Sequence, residues 1–254
     1  MWTRGKTRPA TSGGDGARAR LRRIPTTWIA AGVVAVLAAV GLVLSLPTSL
    51  STASLPGDAA ASAAGAPVVG PVTGLARRTQ GDPTAIGAVS APVVMVAYSD
   101  FQCPFCGKFA RDTEPALIRE FVDTGVLRIE WRDFPYLGPE STTSALAGRA
   151  AAAQGKFWQF HDVLYAKERK VNSGELTDTA LTRVAADLGL DVARFRADMA
   201  SQAVGDAVQA DFKQGQQVGV SGTPAFIING TPVLGAQPLA QFQQVIRAAA
   251  GGAA

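Results

Sequence analysis

The sequence is poor in the side chains that hold zinc and other soft metals. It contains two cysteines, Cys103 and Cys106, and one histidine, His161, in 254 residues. A structural zinc ion takes four Cys or His ligands, so a zinc site is not expected. A soft metal bound by both thiolates would need a third ligand from His161 or the three methionines, and a non-enzymatic metal-binding module stays open as an alternative. Because His161 follows an aromatic run, we expect it to pack in a helix rather than to act as a proton shuttle.

A purely structural disulfide is also a poor explanation of the pair, because a cross-link over two residues removes little entropy from the unfolded chain. Cys103 and Cys106 follow an apolar run, residues 93–98, that is typical of a buried strand, and a helical pattern starts after them. A helix start directs unpaired backbone N–H groups and a positive potential toward the first sulfur. Both effects favour the thiolate, which is the nucleophile in disulfide exchange. Redox chemistry is therefore the preferred interpretation.

Charge is absent from nineteen consecutive residues, 28–46. At about 1.5 Å per residue, this apolar stretch is long enough to cross a bilayer core. Residues 1–27 contain seven Lys or Arg and one acid, and no basic residue follows until Arg77. The positive-inside rule predicts a cytoplasmic basic tail at 1–27, a single transmembrane anchor at 28–46 and an extracytoplasmic remainder. A cleaved signal peptide is the alternative, although the apolar run exceeds the usual length. In both cases the cysteines are expected in an oxidising compartment.

Beyond this stretch, the chain has no excess of either charge sign. Residues 77–254 carry 17 Lys or Arg and 18 Asp or Glu, a net charge of −1, although the whole chain has a net charge of +4. The basic excess belongs to the N-terminal tail, where it fixes orientation and meets anionic lipid. Binding to nucleic acid is therefore not expected.

Residues 47–76 are rich in Ala, Ser, Pro and Gly, which predicts a flexible linker. Residues 77–254 are long enough for one domain in which strands and helices alternate. The patterns predict strands at 93–98 and 126–131, a helix from Cys103 to about Asp123 kinked at Pro115, a helical stretch at about 141–217, a hairpin turning at Asn229-Gly230 and a last helix starting at Pro238. This order predicts an α/β, thioredoxin-like fold with an inserted helical subdomain.

Thr223-Pro224 lies just before the predicted strand at 225–229. Proline is disfavoured in the interior of a sheet. A cis bond here would turn the chain and leave the Thr223 backbone free to pair with an incoming peptide. A trans proline that closes a loop is the alternative, since cis bonds are a small minority of X–Pro bonds.

Four segments in combination resemble the DsbA-like thiol–disulfide oxidoreductases over about residues 80–250, with most likeness to the membrane-tethered branch of Gram-positive bacteria. They are YSDFQCPFC (98–106), RDFP (132–135), GKFW (155–158) with His161, and GVSGTP (219–224) through Asn229-Gly230. The resemblance implies a thioredoxin fold with a helical insertion. It also implies that Cys103 is the attacking cysteine, that Cys106 is the resolving one, and that Thr223 and a cis Pro224 complete the catalytic set.

The same resemblance implies an extracytoplasmic enzyme that introduces disulfides into exported proteins with free cysteines. Such an enzyme needs no cofactor besides its own Cys103–Cys106 disulfide, and a membrane partner of the DsbB or VKOR type reoxidises it. A reductase or isomerase working in the opposite direction is the alternative. Phe105 stands where some members have a histidine that stabilises the thiolate, so we expect a weaker oxidant than the strongest members. Ala97 stands where many relatives have a buried acid, which leaves the deprotonation of Cys106 unassigned.

Overall fold

The structure is a computed structural model that describes residues 73–252. The predicted basic tail and anchor lie outside the described residues, as do residues 47–72 of the predicted linker. Within residues 73–252, no helix has both the length and the apolar character needed to cross a membrane.

In the part of the chain that the structure describes, five strands form one mixed sheet. They are β1 (Ala85–Ile86), β2 (Val93–Ser99), β3 (Leu127–Asp133), β4 (Ala225–Ile228) and β5 (Thr231–Leu234). Their order across the sheet is β1-β3-β2-β4-β5, with β2 parallel to β3 and antiparallel to β4. All seven residues of β2 are buried. The apolar run that predicted this strand is continuous because both faces of the central strand are covered.

Around the sheet, residues 73–252 form eight α-helices. They are α1 (Pro104–Asp112), α2 (Glu114–Leu117), α3 (Pro139–Ala152), α4 (Phe157–Tyr165), α5 (Asp178–Asp187), α6 (Val192–Met199), α7 (Gln202–Gln217) and α8 (Leu239–Gly251). Helices α1, α2 and α8 pack on one face of the sheet through Phe109, Leu117 and Phe242. Helix α7 lies against the other face, and α3 to α6 enclose a separate apolar cluster that contains both cysteines.

The chain departs from a single long helix near Pro115. Helix α1 ends at Asp112, α2 begins at Glu114, and a π-helical turn (Ile118–Val122) follows. Pro115 lies in the first turn of α2, where its missing N–H is tolerated, whereas in a continuous helix its ring would clash with the preceding turn. The kink predicted there is therefore a break between two helices.

The predicted turn of the β4–β5 hairpin is confirmed. Asn229 and Gly230 have φ angles of 42° and 93°, in the left-handed region that a two-residue type I′ turn requires. The two-residue strand β1 was not predicted, because two residues carry no recognisable period. It pairs antiparallel with β3 at the edge of the sheet.

A network of buried charges joins β3 to the helices and to the chain before β1. Glu130 on β3 lies at its centre and is fully buried. The carboxylate of Glu130 accepts hydrogen bonds of 2.8 to 2.9 Å from the backbone N–H groups of Arg77 and Arg78 and from the guanidinium groups of Arg128 and Arg132. Asp211 on α7 forms ion pairs with Arg77 and with Arg149 on α3.

Candidate active site

Cys103 and Cys106 lie at the start of the helix that follows the central strand. The backbone N–H of Cys103 donates to the carbonyl oxygen of Asp100 at 2.9 Å, which closes a tight turn after β2. Cys103 is the N-cap residue of α1 and has an extended backbone conformation. Both cysteines are free thiols, with only 3% of Cys103 and 2% of Cys106 exposed. The strand–turn–helix placement is the one expected from the sequence.

The loop before β4 faces the first sulfur. The Thr223-Pro224 peptide bond is cis. The Cys103 thiol donates to the carbonyl oxygen of Thr223, with 3.2 Å between Sγ and O, across 120 residues of sequence. The structure therefore brings together all four residues nominated from the sequence, namely Cys103, Cys106, Thr223 and Pro224.

The two thiols have opposite shifts in acidity. The hydrogen bond from the Cys106 thiol is the largest cause that lowers the pKa of Cys103. The Thr223 side chain and the backbone N–H groups of Cys106 and Phe105 lower it further, whereas burial raises it. The net effect lowers the pKa of Cys103 to about 6. Burial raises the pKa of Cys106 well above its ordinary value, and the neighbouring Cys103 raises it further. Of the two thiols, Cys103 therefore ionises first as the pH rises, while Cys106 stays protonated.

An apolar groove of about 540 Å³ runs beside this pair. It is lined by Phe105, Tyr136, residues 218–227 and the β5 residues Pro232 and Leu234. Phe105, between the two cysteines, is 63% exposed, and Leu234 on the edge strand is 49% exposed. Exposed apolar side chains around a concave surface are typical of a site that binds another molecule.

The opposite side of the cysteine pair is packed against aromatic rings. Phe101 stacks on Trp131 with 4.8 Å between ring centroids, and Tyr165 lies 5.4 Å from Phe101. His161 is buried in α4, 4.9 Å from the Tyr165 ring, with its Nδ1 2.9 Å from Asp162 Oδ1. The helix packing expected for His161 is thus observed. Among residues 73–252, no group of three or more His, Cys, Asp or Glu side chains is arranged to hold a metal ion.

The residue six positions before Cys103 is Ala97, so no carboxylate side chain occupies that position. Ala97 is buried on β2, opposite Phe226 of β4. The nearby Asp100 carboxylate instead accepts backbone N–H groups, from Gln102 at 2.9 Å, Tyr136 at 3.0 Å and Leu137 at 3.2 Å. Asp100 therefore braces the active-site turn against the loop after β3.

A protein-family model matches the part of the chain that contains the candidate site. The thioredoxin family model matches residues 79–248, which is well over half of the chain. The chain belongs to the thioredoxin family. The match contains the cysteine pair, the helical subdomain and the Thr223-Pro224 loop.

Curated relatives locate the chain within the thioredoxin family. "Probable disulfide bond formation protein D" of Bacillus cereus is 31% identical over 149 residues, which cover 57% of this chain and 69% of that protein. "Na(+)/H(+) antiporter NhaA 3" of Salinispora tropica is 38% identical over 146 residues, but the matched region spans only 21% of the antiporter's length. The DsbA-like assignment made from the sequence is confirmed by the first of these relatives together with the family match.

Solved structures show the same fold. BdbD from Bacillus subtilis aligns with a TM-score of 0.63 at 22% identity and covers 68% of this chain and 94% of that one. The α-DsbA1 protein of Wolbachia pipientis aligns with a TM-score of 0.60 at 23% identity and covers 67% and 92% of the two chains. The predicted thioredoxin-like fold is therefore confirmed.

Two buried polar side chains around α4 make contacts that the sequence did not indicate. Tyr165 donates its hydroxyl hydrogen bond to the carbonyl oxygen of Asp100 at 2.9 Å, across 65 residues. Glu114 is buried with its Oε2 3.6 Å from His161 Nε2, and burial raises its pKa. Neither side chain belongs to a local motif, so no spacing in the sequence could have indicated them.

Proposed function

We propose that this thioredoxin-family protein is a thiol–disulfide oxidoreductase whose reactive pair is Cys103 and Cys106. The observation that carries the proposal is the inequality of the two thiols. Cys103, with its pKa lowered to about 6, lies against the Thr223 loop, whereas Cys106 is buried and its pKa is raised. Such a division suits a first sulfur that exchanges with substrate and a second that resolves the mixed disulfide.

The reaction begins with the Cys103–Cys106 disulfide. A substrate thiolate attacks Cys103 Sγ, the bond between the two cysteines breaks, and Cys106 leaves as a thiolate that takes up a proton. A second substrate thiolate then attacks the substrate sulfur of the mixed disulfide and displaces the Cys103 thiolate. Two electrons pass from the substrate dithiol to the cysteine pair, and one substrate disulfide forms.

The oxidase direction is favoured by the stabilised Cys103 thiolate. Every hydrogen bond that lowers the pKa of Cys103 stabilises the reduced form of the pair. A more stable reduced form makes the disulfide a stronger oxidant, by about 30 mV for each 1.4 kcal/mol. The protein is accordingly proposed to introduce disulfides rather than to reduce or isomerise them.

The proposed setting is the outer side of the cell membrane, with exported proteins as substrates. It is supported by the basic residues 1–27 and the uncharged run at 28–46, which together have the pattern of a signal anchor with a cytoplasmic N-terminus. Turnover requires a reoxidising partner, for which a membrane protein of the DsbB or VKOR type is proposed. The Ala/Ser/Pro/Gly-rich residues 47–76 would keep the domain within reach of that partner.

The apolar groove beside Cys103 is the proposed site for the substrate chain. An extended segment lying along residues 218–227 would place its cysteine at Cys103, with apolar side chains against Phe105 and Leu234. The Thr223 carbonyl, which now accepts the Cys103 thiol, would be available to pair with the substrate backbone.

Two serine substitutions test the roles of the sulfurs in the purified full-length protein. Cys103→Ser should abolish oxidation of a reduced, unfolded substrate protein. Cys106→Ser should accumulate a mixed disulfide through Cys103, seen as a substrate adduct by mass spectrometry that dithiothreitol removes. If either variant oxidises substrate like the wild type, the assignment is wrong.

A redox titration against glutathione decides the direction of electron flow. A potential close to that of thioredoxin, about −270 mV, would identify a reductase, whereas an oxidase should lie well above it. Metal analysis of protein purified under reducing conditions distinguishes an oxidase or a reductase from a soft-metal-binding module. Stoichiometric copper or zinc that disappears in Cys103→Ser would support the metal-binding alternative.

A further inference from the structure

The carbonyl oxygen of Asp100 receives two hydrogen bonds at the point where the chain enters the active site. One comes from the Cys103 backbone N–H at 2.9 Å and closes the turn that starts α1. The other comes from the Tyr165 hydroxyl on α4, also at 2.9 Å. The Asp100 carbonyl oxygen therefore connects the backbone N–H of Cys103 with α4 of the helical subdomain.

The Tyr165 side chain is buried and packed against other rings where it makes this bond. Its ring lies 4.9 Å from His161 and 5.4 Å from Phe101 between centroids. The residue is 4% exposed, so its hydroxyl group has no competing solvent. A buried phenol that lost this acceptor would be left unsatisfied, at a cost of about 1–3 kcal/mol.

Helix α1 is fastened to the same residue at two further points. The Arg111 side chain donates from Nη1 to the Tyr165 carbonyl oxygen at 2.9 Å. Gly107 packs so closely that a Cβ atom there would lie 3.3 Å from Cδ1 of the Tyr165 ring and 2.8 Å from Arg111 Nη1. The first two turns of α1, which begin at the cysteine pair, therefore pack directly against the end of α4.

We propose that Tyr165 is a positioning residue for the Cys103 nucleophile, with its hydroxyl group fixing the Asp100–Cys103 turn so that the first backbone N–H groups of α1 point at the Cys103 sulfur. This inference rests on the proposed function of Cys103 and extends it to the helical subdomain. With Phe105 rather than a charged residue between the cysteines, the thiolate is stabilised by uncharged donors, and the backbone N–H groups of Phe105 and Cys106 at the start of α1 are two of them. The direction of these N–H groups depends on the geometry of the Asp100–Cys103 turn. Tyr165, which lies in the helical subdomain, fixes that geometry.

The test is Tyr165→Phe, which removes the hydroxyl group and keeps the ring. The matched control is Tyr98→Phe, because Tyr98 is also fully buried and donates to Gln214 Oε1 at 3.2 Å, away from the sulfurs. The other titratable groups that act on Tyr165 are Cys103, Cys106, Asp100 and Glu114, and the substitution leaves all four in place.

The readout is the alkylation rate of Cys103 in the reduced full-length protein as a function of pH, followed by mass spectrometry without any substrate. With a higher thiol pKa in Tyr165→Phe, the rate at pH 6 should fall about threefold to tenfold, since one pKa unit is a tenfold change. At pH 9, where the thiolate predominates in both proteins, the rates should agree within about twofold. Tyr98→Phe should follow the wild type at both pH values.

Thermal unfolding of the wild type, Tyr165→Phe and Tyr98→Phe shows whether a change in the Cys103 titration reflects only a general loss of stability. Equal losses of Tm in the two variants, with a Cys103 titration that moves in neither, would overturn the proposal. An equal rate loss at pH 6 and pH 9 in Tyr165→Phe would also overturn it, because that pattern reports access to the sulfur rather than its ionisation. Failure of the proposed function is distinguishable, since it would appear as absent substrate oxidation by the wild type.

Discussion

At the scale of single residues, the two cysteines of the candidate site are made unequal by burial and hydrogen bonding. The largest contributions that lower the pKa of Cys103 are the Cys106 thiol, the Thr223 side chain and two backbone N–H groups, none of which carries a charge. The two backbone N–H groups belong to the start of α1, but their contributions are smaller than those of the Cys106 thiol and the Thr223 side chain. The lowered pKa of Cys103 therefore depends first on the buried Cys106 thiol and second on the groups around it, the start of the helix included.

The pH dependence of Cys103 alkylation should show this directly. With the pKa of Cys103 lowered to about 6, the rate for the reduced wild type should be constant above about pH 7 and fall about tenfold per unit below pH 6. In Cys106→Ala the principal hydrogen-bond donor is lost, so the midpoint should move upward. A wild-type midpoint near 8.5, the value of a free cysteine, would contradict the assignment of Cys103 as the activated sulfur.

At the scale of secondary-structure elements, helix α7 lies against the sheet through a glycine. A Cβ atom at Gly215 would lie 2.8 Å from two ring carbons of Phe134 and 3.0 Å from the Tyr98 ring. Both rings are buried, so neither can move aside at low cost. The absence of a side chain at Gly215 therefore sets how closely α7 approaches β2 and the end of β3.

Gly215→Ala should destabilise the protein by about 1–3 kcal/mol through overpacking, although alanine is the better helix former. The control is Gly205→Ala on the same helix, where a Cβ atom would meet nothing within 4 Å. That change should be neutral or stabilise by up to about 1 kcal/mol. Urea unfolding of both variants measures the difference, and equal behaviour of the two would show that close packing at Gly215 does not limit the approach of α7.

The elements that the sequence predicted correctly are those with a local signal. Strand β2 has an unbroken apolar run, and the β4–β5 turn has Asn229-Gly230, which tolerates positive φ angles at both positions. For the candidate site, the motifs indicated Cys103, Cys106 and the Thr223-Pro224 loop, which the structure brings together. Strand β1 and the hydrogen bond of Tyr165 were not predicted, because each depends on a partner more than forty residues away in the chain. Strand β1 pairs with Ile129 and Glu130, and the Tyr165 hydroxyl group donates to Asp100.

At the scale of the whole molecule, the buried Glu130 joins the start of the described chain to the sheet. Its carboxylate holds the backbone of residues 77–78 and the guanidinium groups of Arg128 and Arg132. Burial alone would raise the pKa of Glu130, but these four groups outweigh it and lower the pKa from 4.5 to about 2. A carboxyl group with a depressed folded-state pKa stabilises the fold only while it is ionised.

The free energy of unfolding should therefore depend on Glu130 in acid. Its contribution is fully present above about pH 4.5, the unfolded-state pKa, and is lost as the pH falls toward about 2, in total on the order of 2–3 kcal/mol. In Glu130→Gln, the protein should be weakened by several kcal/mol at pH 7, because Arg128 and Arg132 are left buried without their partner. What stability remains should decline less steeply between pH 4.5 and 2 than in the wild type.

The matched control is Glu168→Gln, because the Glu168 side chain is 77% exposed and pairs only with Arg111 in the described part of the chain. An exposed pair contributes between about 0 and 1 kcal/mol, so this variant should keep both the stability and the acid dependence of the wild type. Urea unfolding of the oxidised proteins at several pH values measures both quantities. If Glu130→Gln keeps the wild-type slope below pH 4.5, acid unfolding must be assigned to other buried carboxyl groups. If the slope becomes shallower, the ionised Glu130 carboxylate, which accepts the backbone N–H groups of residues 77–78, is the group whose protonation weakens the fold in acid.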